Sequence, residues 1–305
     1  MIFKWVSHPD LSARERLMMI MFEMGMATLE DLSIVTGHSE SYVFHLYKQI
    51  RYRPTKDAVE QLNRELQKVR CSKSMDDVQK KARTKEIKQQ IENLRAEWAL
   101  SYRQAVGTRG SSRRLYALGP KGIEYCMTLM HNNGSWQIKE SQKKHYDGVN
   151  KILTRLISTF GRDRLSWYYS AEATDILLQV WEVIRQKSWE QNPKLALKEK
   201  RKMIRPDALC GIDDDHYWIE FDNDTEKNKQ LINKMRGYKE TIGVKQARNI
   251  NFPVVWVTTN QRRKDKLEGI WEHVKINYYP GEKMPEMRFF VQGGERDWFE
   301  KKHQK

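Results

Sequence analysis

Cysteine is scarce in this sequence. Its three cysteines, Cys71, Cys126 and Cys210, are odd in number and widely separated along the chain. A disulfide framework needs paired cysteines and a structural zinc site needs clustered ones, so the sequence favours neither. We interpret all three as ordinary thiols.

Long apolar runs are also missing. The most apolar stretch, residues 17–27, is interrupted by Glu23 and is far shorter than the roughly 20 residues that a membrane span requires. Asp10 and the charged residues at 14–16 stand where a signal peptide would have its apolar segment. We therefore expect a cytoplasmic protein that makes no use of a membrane.

Negative charge is in deficit. The chain has 40 Asp and Glu against 55 Lys and Arg, which gives a formal net charge of +15. Such an excess favours a polyanionic partner, and double-stranded DNA is the first candidate. A hydrophobic content of 39% with ten Trp is too apolar for a disordered chain, and 305 residues suffice for two domains.

The first 51 residues predict three helices. Ser12 and Glu15 have the spacing of a capping box, which opens a helix that ends near Gly25. Residues 28–35 and 40–51 predict two further helices around a turn, in the spacing of a helix-turn-helix.

The third of these helices has a buried and an outward face. Val43, Leu46 and Ile50 recur at helical intervals and should face the core. The outward residues are Ser41, Tyr42, His45, Lys48 and Gln49. They could enter a DNA major groove, or they could be merely solvated.

Residues 97–118 predict a basic β-hairpin. Two strand-like runs flank the turn "GTRGSS", with Arg109 inside it and Arg113 and Arg114 directly after it. A hairpin that follows three helices is the arrangement of a winged helix, whose wing arginines can contact phosphates or a minor groove. The alternative is that these arginines serve solubility alone.

An insertion at about residues 54–96 separates the third helix from the hairpin. Its apolar residues recur at helical intervals, which predicts a helical hairpin with Ser74 capping the second helix. Residues 52–115 hold sixteen Lys and Arg against eight Asp and Glu. The insertion could guide DNA, mediate a homodimer, or be a solvated helix pair.

We place a domain boundary in "HNNGSWQ", residues 131–137, because adjacent Asn and Gly residues mark a loop. The prediction is a winged helix-turn-helix domain at 1–133, with its helical-hairpin insertion, followed by an α/β sheet domain at 138–305. Strands that alternate with helices in the second part indicate this class, so the whole chain is expected to be an α+β protein of two domains.

The strongest chemical signal lies at residues 204–224, "IRPDALCGIDDDHYWIEFDND". Side chains alternate along a strand, so Glu220 and Asp222 should share one face while Ile219 and Phe221 share the other. Asp207 on the adjacent strand could converge with them. Three carboxylates on one face would suit Mg²⁺ or Mn²⁺. The alternative is a hairpin with solvated edge charges.

This pattern resembles known proteins. Pro206-Asp207 followed by Glu220-x-Asp222, a helix and a buried strand looks like the core of the PD-(D/E)xK nucleases. More narrowly, "RPDAL" and "IEFDNDTEKNKQLINKMRGY", together with "HYDGVN" and "WYYSAE" ending at Glu172, resemble the replication-relaxation family of plasmids and mobile elements. The likeness excludes the insertion. It implies a winged-helix domain joined to a nuclease-like domain, with a role in plasmid replication or DNA relaxation.

One position departs from the nuclease pattern. Two residues beyond the Glu that pattern has a Lys, whereas this chain has Asp222. The lysine could be supplied by Lys234, four residues before Tyr238 on the following helix, or by Lys227. Otherwise the third carboxylate adds a metal ligand, or hydrolysis has been lost.

The resemblance therefore implies a specific site. Its catalytic residues would be Asp207, Glu220, Asp222, Lys234 and Glu172, and its metal ligands would be Asp207, Glu220 and Asp222 for Mg²⁺ or Mn²⁺. The expected function is a DNA endonuclease or nickase. The alternative is a non-catalytic replication initiator or transcriptional regulator. A tyrosine relaxase is disfavoured because the eight histidines are dispersed.

Overall fold

The computed structural model describes residues 1–72, 74–106, 111–130 and 138–303. The chain divides into two compact units, one of Lys4–Asp147 and one of Met1–Phe3 with Gly148–Lys305. Both contain helices and a sheet, as the predicted α+β class requires. The predicted linker at 131–137 lies outside the described residues.

The helices and strands follow in chain order. The described helices are α1 (Phe3–Val6), α2 (Ala13–Met24), α3 (Leu29–Thr36), α4 (Glu40–Tyr52), α5 (Lys56–Cys71), α6 (Asp77–Ala96), α7 (Pro120–Leu129), α8 (Lys143–Phe160), α9 (Ser170–Gln191), α10 (Pro193–Lys202), α11 (Asn228–Ile242), α12 (Gln261–Tyr278) and α13 (Gly294–His303). The described strands are β1 (Met26–Ala27), β2 (Ala99–Val106), β3 (Ser111–Leu118), β4 (Leu165–Tyr169), β5 (Ala208–Ile212), β6 (Asp215–Asp222), β7 (Val254–Thr258) and β8 (Met287–Val291).

Local caps fix the first helices where the sequence predicts them. Ser12 and Glu15 form the capping box of α2, and Thr28 forms a second one with Asp31 at the start of α3. Helix α3 ends at Gly37, whose φ of 74° is a left-handed conformation that glycine adopts without strain. Each cap satisfies backbone N–H or C=O groups that a helix end leaves unpaired.

A three-stranded antiparallel sheet in the order β1-β3-β2 completes the first unit. Its hairpin pairs Arg103 with Arg114 and Gln104 with Arg113. Helix α4 packs against this hairpin through Tyr47, whose hydroxyl donates to the Leu100 carbonyl at 3.0 Å. The predicted hairpin is therefore present on its described residues.

Helices α5 and α6 form the predicted helical hairpin, which we call the helical arm. Its return helix is capped by Asp76, whose carboxylate accepts from the Gln79 backbone N–H at 2.8 Å. The prediction of Ser74 as the cap is wrong. The hydroxyl of Ser74 lies 3.0 Å from that of Ser72, and α6 begins two residues later than a Ser74 cap would allow.

The second unit is built on a five-stranded sheet in the order β4-β5-β6-β7-β8. The first three strands are antiparallel, whereas β6, β7 and β8 are parallel and joined by α11 and α12. Strand β7 (VVWVT) is buried along its whole length, as a central parallel strand with covered faces must be.

Alternation along β6 sends its side chains to two different layers. Trp218 joins a core with residues of α9, α11 and α12. Tyr217 meets Phe299 of α13 on the other face, with ring centroids 4.9 Å apart. Helix α13 was not foreseen from the sequence. No helix in the described part of the chain is both long and apolar enough to cross a membrane.

Candidate functional site

Glu220 is a fully buried carboxylate in the centre of the second sheet. It lies on β6, between β5 and β7, opposite Trp256 in the parallel register. Its side chain is 0% exposed. A carboxylate in such a place must be paired or hydrogen-bonded, because burying an isolated charge is strongly unfavourable.

Helix α11 supplies both partners of Glu220. The Lys234 ammonium lies 2.5 Å from Oε2, and the Tyr238 hydroxyl donates to Oε1 at 2.5 Å. Residues four apart on a helix share a face, so α11 brings both groups to the same carboxylate. Nζ of Lys234 also lies 5.4 Å from the centre of the Trp256 ring. The lysine is thus fixed between a carboxylate and an indole.

Asp207 stands directly before β5, next to this group. Ala208 pairs with Ile219, and continuing that antiparallel register places position 207 opposite Glu220. The Asp207 N–H donates to the Ile219 carbonyl at 3.0 Å, and its Oδ2 accepts from the Phe221 N–H at 2.7 Å. Asp207 is half-buried, so this side of the cluster is open to solvent.

These groups shift one another's pKa values. Burial raises the pKa of Glu220 above its ordinary value, the positive charge of Lys234 opposes the rise, and the negative charge of Asp207 adds to it. Burial lowers the pKa of Lys234, but the carboxylates of Glu220 and Asp207 outweigh that effect and raise it above its ordinary value. Burial and Glu220 raise the pKa of Tyr238, which therefore stays a neutral donor. Perturbed titratable groups gathered at one place are typical of functional sites.

Asp222 shares the face of Glu220, as predicted, but has a different partner. Arg263 of α12 binds it with both ends of its guanidinium fork, Nε to Oδ2 at 2.5 Å and Nη2 to Oδ1 at 3.1 Å. The two side chains are 3% and 2% exposed. Asp222 Oδ1 also accepts from the N–H of Asp224, whose φ is 63°. These bonds occupy both oxygens of Asp222.

The predicted set of three carboxylate ligands is not assembled here. Within residues 1–72, 74–106, 111–130 and 138–303, no group of three or more His, Cys, Asp or Glu side chains is arranged to hold a metal ion. The carboxylates of Asp207 and Glu220 are neighbours in the strand register, and since both oxygens of Glu220 are also bonded, a cation bound there would have to displace Lys234 from Oε2. Hard oxygen donors suit Mg²⁺, which is often held by one or two carboxylates with water and substrate phosphate completing its shell. The donor chemistry of this pair therefore fits Mg²⁺ or Mn²⁺.

Two other predicted residues lie elsewhere. Glu172 is in the first turn of α9, where its carboxylate accepts from the amino group of Met1 at 2.5 Å. Lys227 is exposed at the start of α11, and its backbone N–H donates to Gln230 at 2.9 Å. Of the two candidate lysines, the contacts bring Lys234 to the carboxylates.

The first unit presents an exposed basic surface on α4 and the hairpin. Ser41, Tyr42, His45 and Lys48 are exposed, whereas Gln49 is half-buried and lies 2.8 Å from the His45 ring. These positions agree with the predicted outward face. Arg109 falls outside the described residues.

The two other predicted arginines point to opposite sides of β3. Arg113 forms an ion pair with Asp147, a carboxylate that is 7% exposed and also accepts from Gln104 at 2.9 Å. Arg114 is exposed and lies directly across from exposed Arg103. Like charges that face each other across a hairpin repel, so a polyanion beside them would relieve the repulsion. Arg103 could not be predicted from the sequence, because only the strand register brings it beside Arg114.

The chain matches a known protein family. The family model described as Replication-relaxation matches residues 66–255, more than half of the chain. The match includes all of α6 and the end of α5, so the expectation that the likeness excludes the insertion is wrong. No curated protein and no solved structure matches the chain. The matched segment also contains Asp207, Glu220 and Lys234, and on this evidence the chain belongs to the replication-relaxation family.

Proposed function

We propose that this protein binds double-stranded DNA in the replication or relaxation of a plasmid or mobile element, and that it cleaves DNA as a metal-dependent endonuclease or nickase. The observation that carries the proposal is the group of Asp207, Glu220 and Lys234. It contains the two acids and the lysine of the PD-(D/E)xK pattern, with the lysine supplied by α11 instead of β6. Membership of the replication-relaxation family supports the biological role.

Each residue of this group would have a separate role. Asp207 and Glu220 would hold Mg²⁺ or Mn²⁺, which when bound polarises a phosphate and makes water a better nucleophile. The Lys234 ammonium would stabilise the negative charge that develops on the phosphoryl oxygens. Tyr238 fixes the orientation of Glu220 through its hydrogen bond. Asp222 and Arg263 would hold the end of β6 in place through their buried ion pair.

The first unit would bind DNA in the manner of a winged helix. The exposed side chains of α4, Ser41, Tyr42, His45 and Lys48, would read base edges in the major groove. Arg103 and Arg114 would contact phosphates, which positions the protein without reading sequence.

Cleavage of supercoiled plasmid tests the enzymatic part. We expect the protein to nick or linearise plasmid in Mg²⁺ or Mn²⁺ and Glu220→Gln to abolish this, because the amide removes a charged metal ligand without changing shape. Glu286→Gln is the matched control, since Glu286 is an exposed carboxylate at the far edge of the sheet. Equal cleavage by Glu220→Gln and the wild type would show that this site is not the source of activity.

A non-catalytic initiator or transcriptional regulator is the second candidate. The observation that favours it is that Glu220 is fully buried and already neutralised by Lys234, so a cation must displace an existing ion pair. In the plasmid experiment, this candidate predicts DNA binding without strand scission over a wide range of metal concentration.

Salt-dependent binding tests the DNA surface of the first unit. The double substitution Arg103→Ala with Arg114→Ala should weaken binding to specific and random duplexes alike. It should also reduce the slope of log affinity against log salt by about 2, because each phosphate contact releases close to one counterion. Fluorescence anisotropy at several salt concentrations measures both quantities.

Arg113→Ala is the control for this experiment. Its guanidinium is committed to Asp147, so its removal should lower stability and leave the salt slope unchanged. A reduced slope for Arg113→Ala, with none for the double variant, would place the phosphate contacts on the opposite face of the hairpin.

A further inference from the structure

The helical arm has its own hydrophobic core. Val59, Leu66 and Val69 of α5 pack against Ile87 and Ile91 of α6, all less than 10% exposed. This cluster closes the apolar faces of the two helices against each other. The outer faces of the arm are therefore available for contacts with another molecule.

The base of the arm is fixed to α4. Arg51 of α4 forms an ion pair with Glu92 of α6 at 2.5 Å. Arg95, one turn further along α6, lies over the ring of Tyr52 at 4.4 Å. Because of these contacts, α6 extends from the end of the helix proposed to read DNA. Its 20 residues span about 30 Å at 1.5 Å per residue.

A stripe of lysines follows the outer side of α6. Lys81, Lys85 and Lys88 are separated by four and three residues, so they lie on one face of the helix. All three are exposed, and none makes an ion pair within the residues that the structure describes. Arg83 of the same helix shows the contrast, since it turns toward α5 and pairs with Glu65 and Glu86. We call these three residues the lysine stripe.

We propose that the lysine stripe is a second DNA contact, which binds backbone phosphates beside the segment held by α4. This inference rests on the proposed DNA binding of the first unit. It adds a second surface that would lengthen the contact with DNA. The stripe covers about 10 Å of helix, which is enough for consecutive phosphates of one strand. Lysine ammonium groups on flexible stems suit contacts of this kind, which require charge but no fixed geometry.

A second copy of this chain fits the stripe poorly. Two arms meeting there would bring like charges together, which is unfavourable. Val78 is the most exposed apolar side chain among the described residues of α6, at 79%, and it stands alone without an apolar patch around it. The arm thus offers positive charge without the apolar area that a stable dimer buries.

The test is the triple substitution Lys81→Gln, Lys85→Gln and Lys88→Gln in the full chain. Glutamine forms helices about as well as lysine, so the thermal unfolding temperature should not change. We expect weaker binding to a random-sequence duplex and a salt slope lower by about 2 to 3. The charge-matched control is Lys187→Gln, Lys194→Gln and Lys198→Gln, three exposed positions on α9 and α10 that should leave the slope unaltered.

The outcomes separate this inference from the proposed function. A triple variant that binds like the wild type, while Arg103→Ala with Arg114→Ala binds more weakly, overturns the lysine stripe and leaves the DNA-binding function intact. Failure of the wild type to bind duplex DNA overturns both. A dimer in light scattering of the wild type that the triple variant loses assigns the stripe to self-association and overturns the proposal. If the triple variant and its control lowered the salt slope equally, the effect would come from the change in net charge and not from the position of the lysines. That result would also overturn the proposal.

Discussion

Replacing Arg263 with alanine is expected to destabilise the second unit by about 3–5 kcal/mol. The substitution leaves the carboxylate of Asp222 buried and without its cation, since the pair is 3% and 2% exposed. It also removes the donors to Asp224, at 3.0 Å, and to the Glu226 carbonyl, at 2.9 Å. These contacts hold the turn that joins β6 to α11, so their loss should loosen the connection that positions Lys234.

Thermal and urea unfolding of the variant measure this effect. The matched control is Arg288→Ala, which breaks the exposed ion pair of Arg288 with Glu286, at 53% and 46% exposure. Exposed pairs contribute about 0–1 kcal/mol, so this control should unfold almost like the wild type. Arg263→Lys keeps the positive charge but loses the second hydrogen bond to Asp222. Its loss of unfolding free energy should lie between those of Arg263→Ala and Arg288→Ala. Similar small losses from Arg263→Ala and Arg288→Ala would contradict a structural role for the Asp222 pair.

Local signals made much of this fold predictable. Capping residues such as Ser12 and Thr28 define helix starts within a few residues, because the bonds they make are short-range. The alternation in β6 correctly placed Glu220 and Asp222 on one face. The four-residue spacing of Lys234 and Tyr238 correctly placed both on one side of α11.

The partners of the acidic residues could not be predicted in the same way. Alternation gives the face of a side chain, but it says nothing about which helix will cover that face. Arg263 reaches Asp222 from 41 positions further along the chain, with α11 and β7 between them. That pairing depends on how α12 packs against the sheet, and it gives Asp222 an arginine partner that the sequence did not predict.

The sequence contains a further signal about the hairpin arginines, namely that two of them are adjacent in a strand. Arg113 and Arg114 are adjacent in a strand, so they must point to opposite faces, and at most one of them can meet DNA from a given side. Arg103 joins Arg114 only through the register of the hairpin. That register depends on the length of the intervening turn, which short sequence patterns specify poorly.

Under the proposed function, Lys234→Met should reduce the rate of plasmid cleavage by about 10²- to 10³-fold, the usual effect of removing one group that stabilises charge in the transition state. Methionine keeps the apolar stem of the side chain but removes the ammonium that lies beside Glu220 and over the ring of Trp256. DNA affinity should change little, because the residues proposed to grip DNA lie in the first unit. Single-turnover cleavage and anisotropy, measured on the same preparation, separate the two effects.

Lys229→Met is the control, since Lys229 is an exposed lysine on the same helix, away from Glu220. Lys234→Arg gives a second comparison: a guanidinium restores the positive charge but is larger than the ammonium that occupies the space between Glu220 and Trp256. Three results would together show that cleavage needs a positive charge at this point of α11. They are partial activity in Lys234→Arg, full activity in Lys229→Met and almost none in Lys234→Met. If Lys234→Met cleaved plasmid at the wild-type rate, Lys234 would have no part in the mechanism. Helix α11 would then not supply the lysine that the nuclease pattern has at the position of Asp222 in β6.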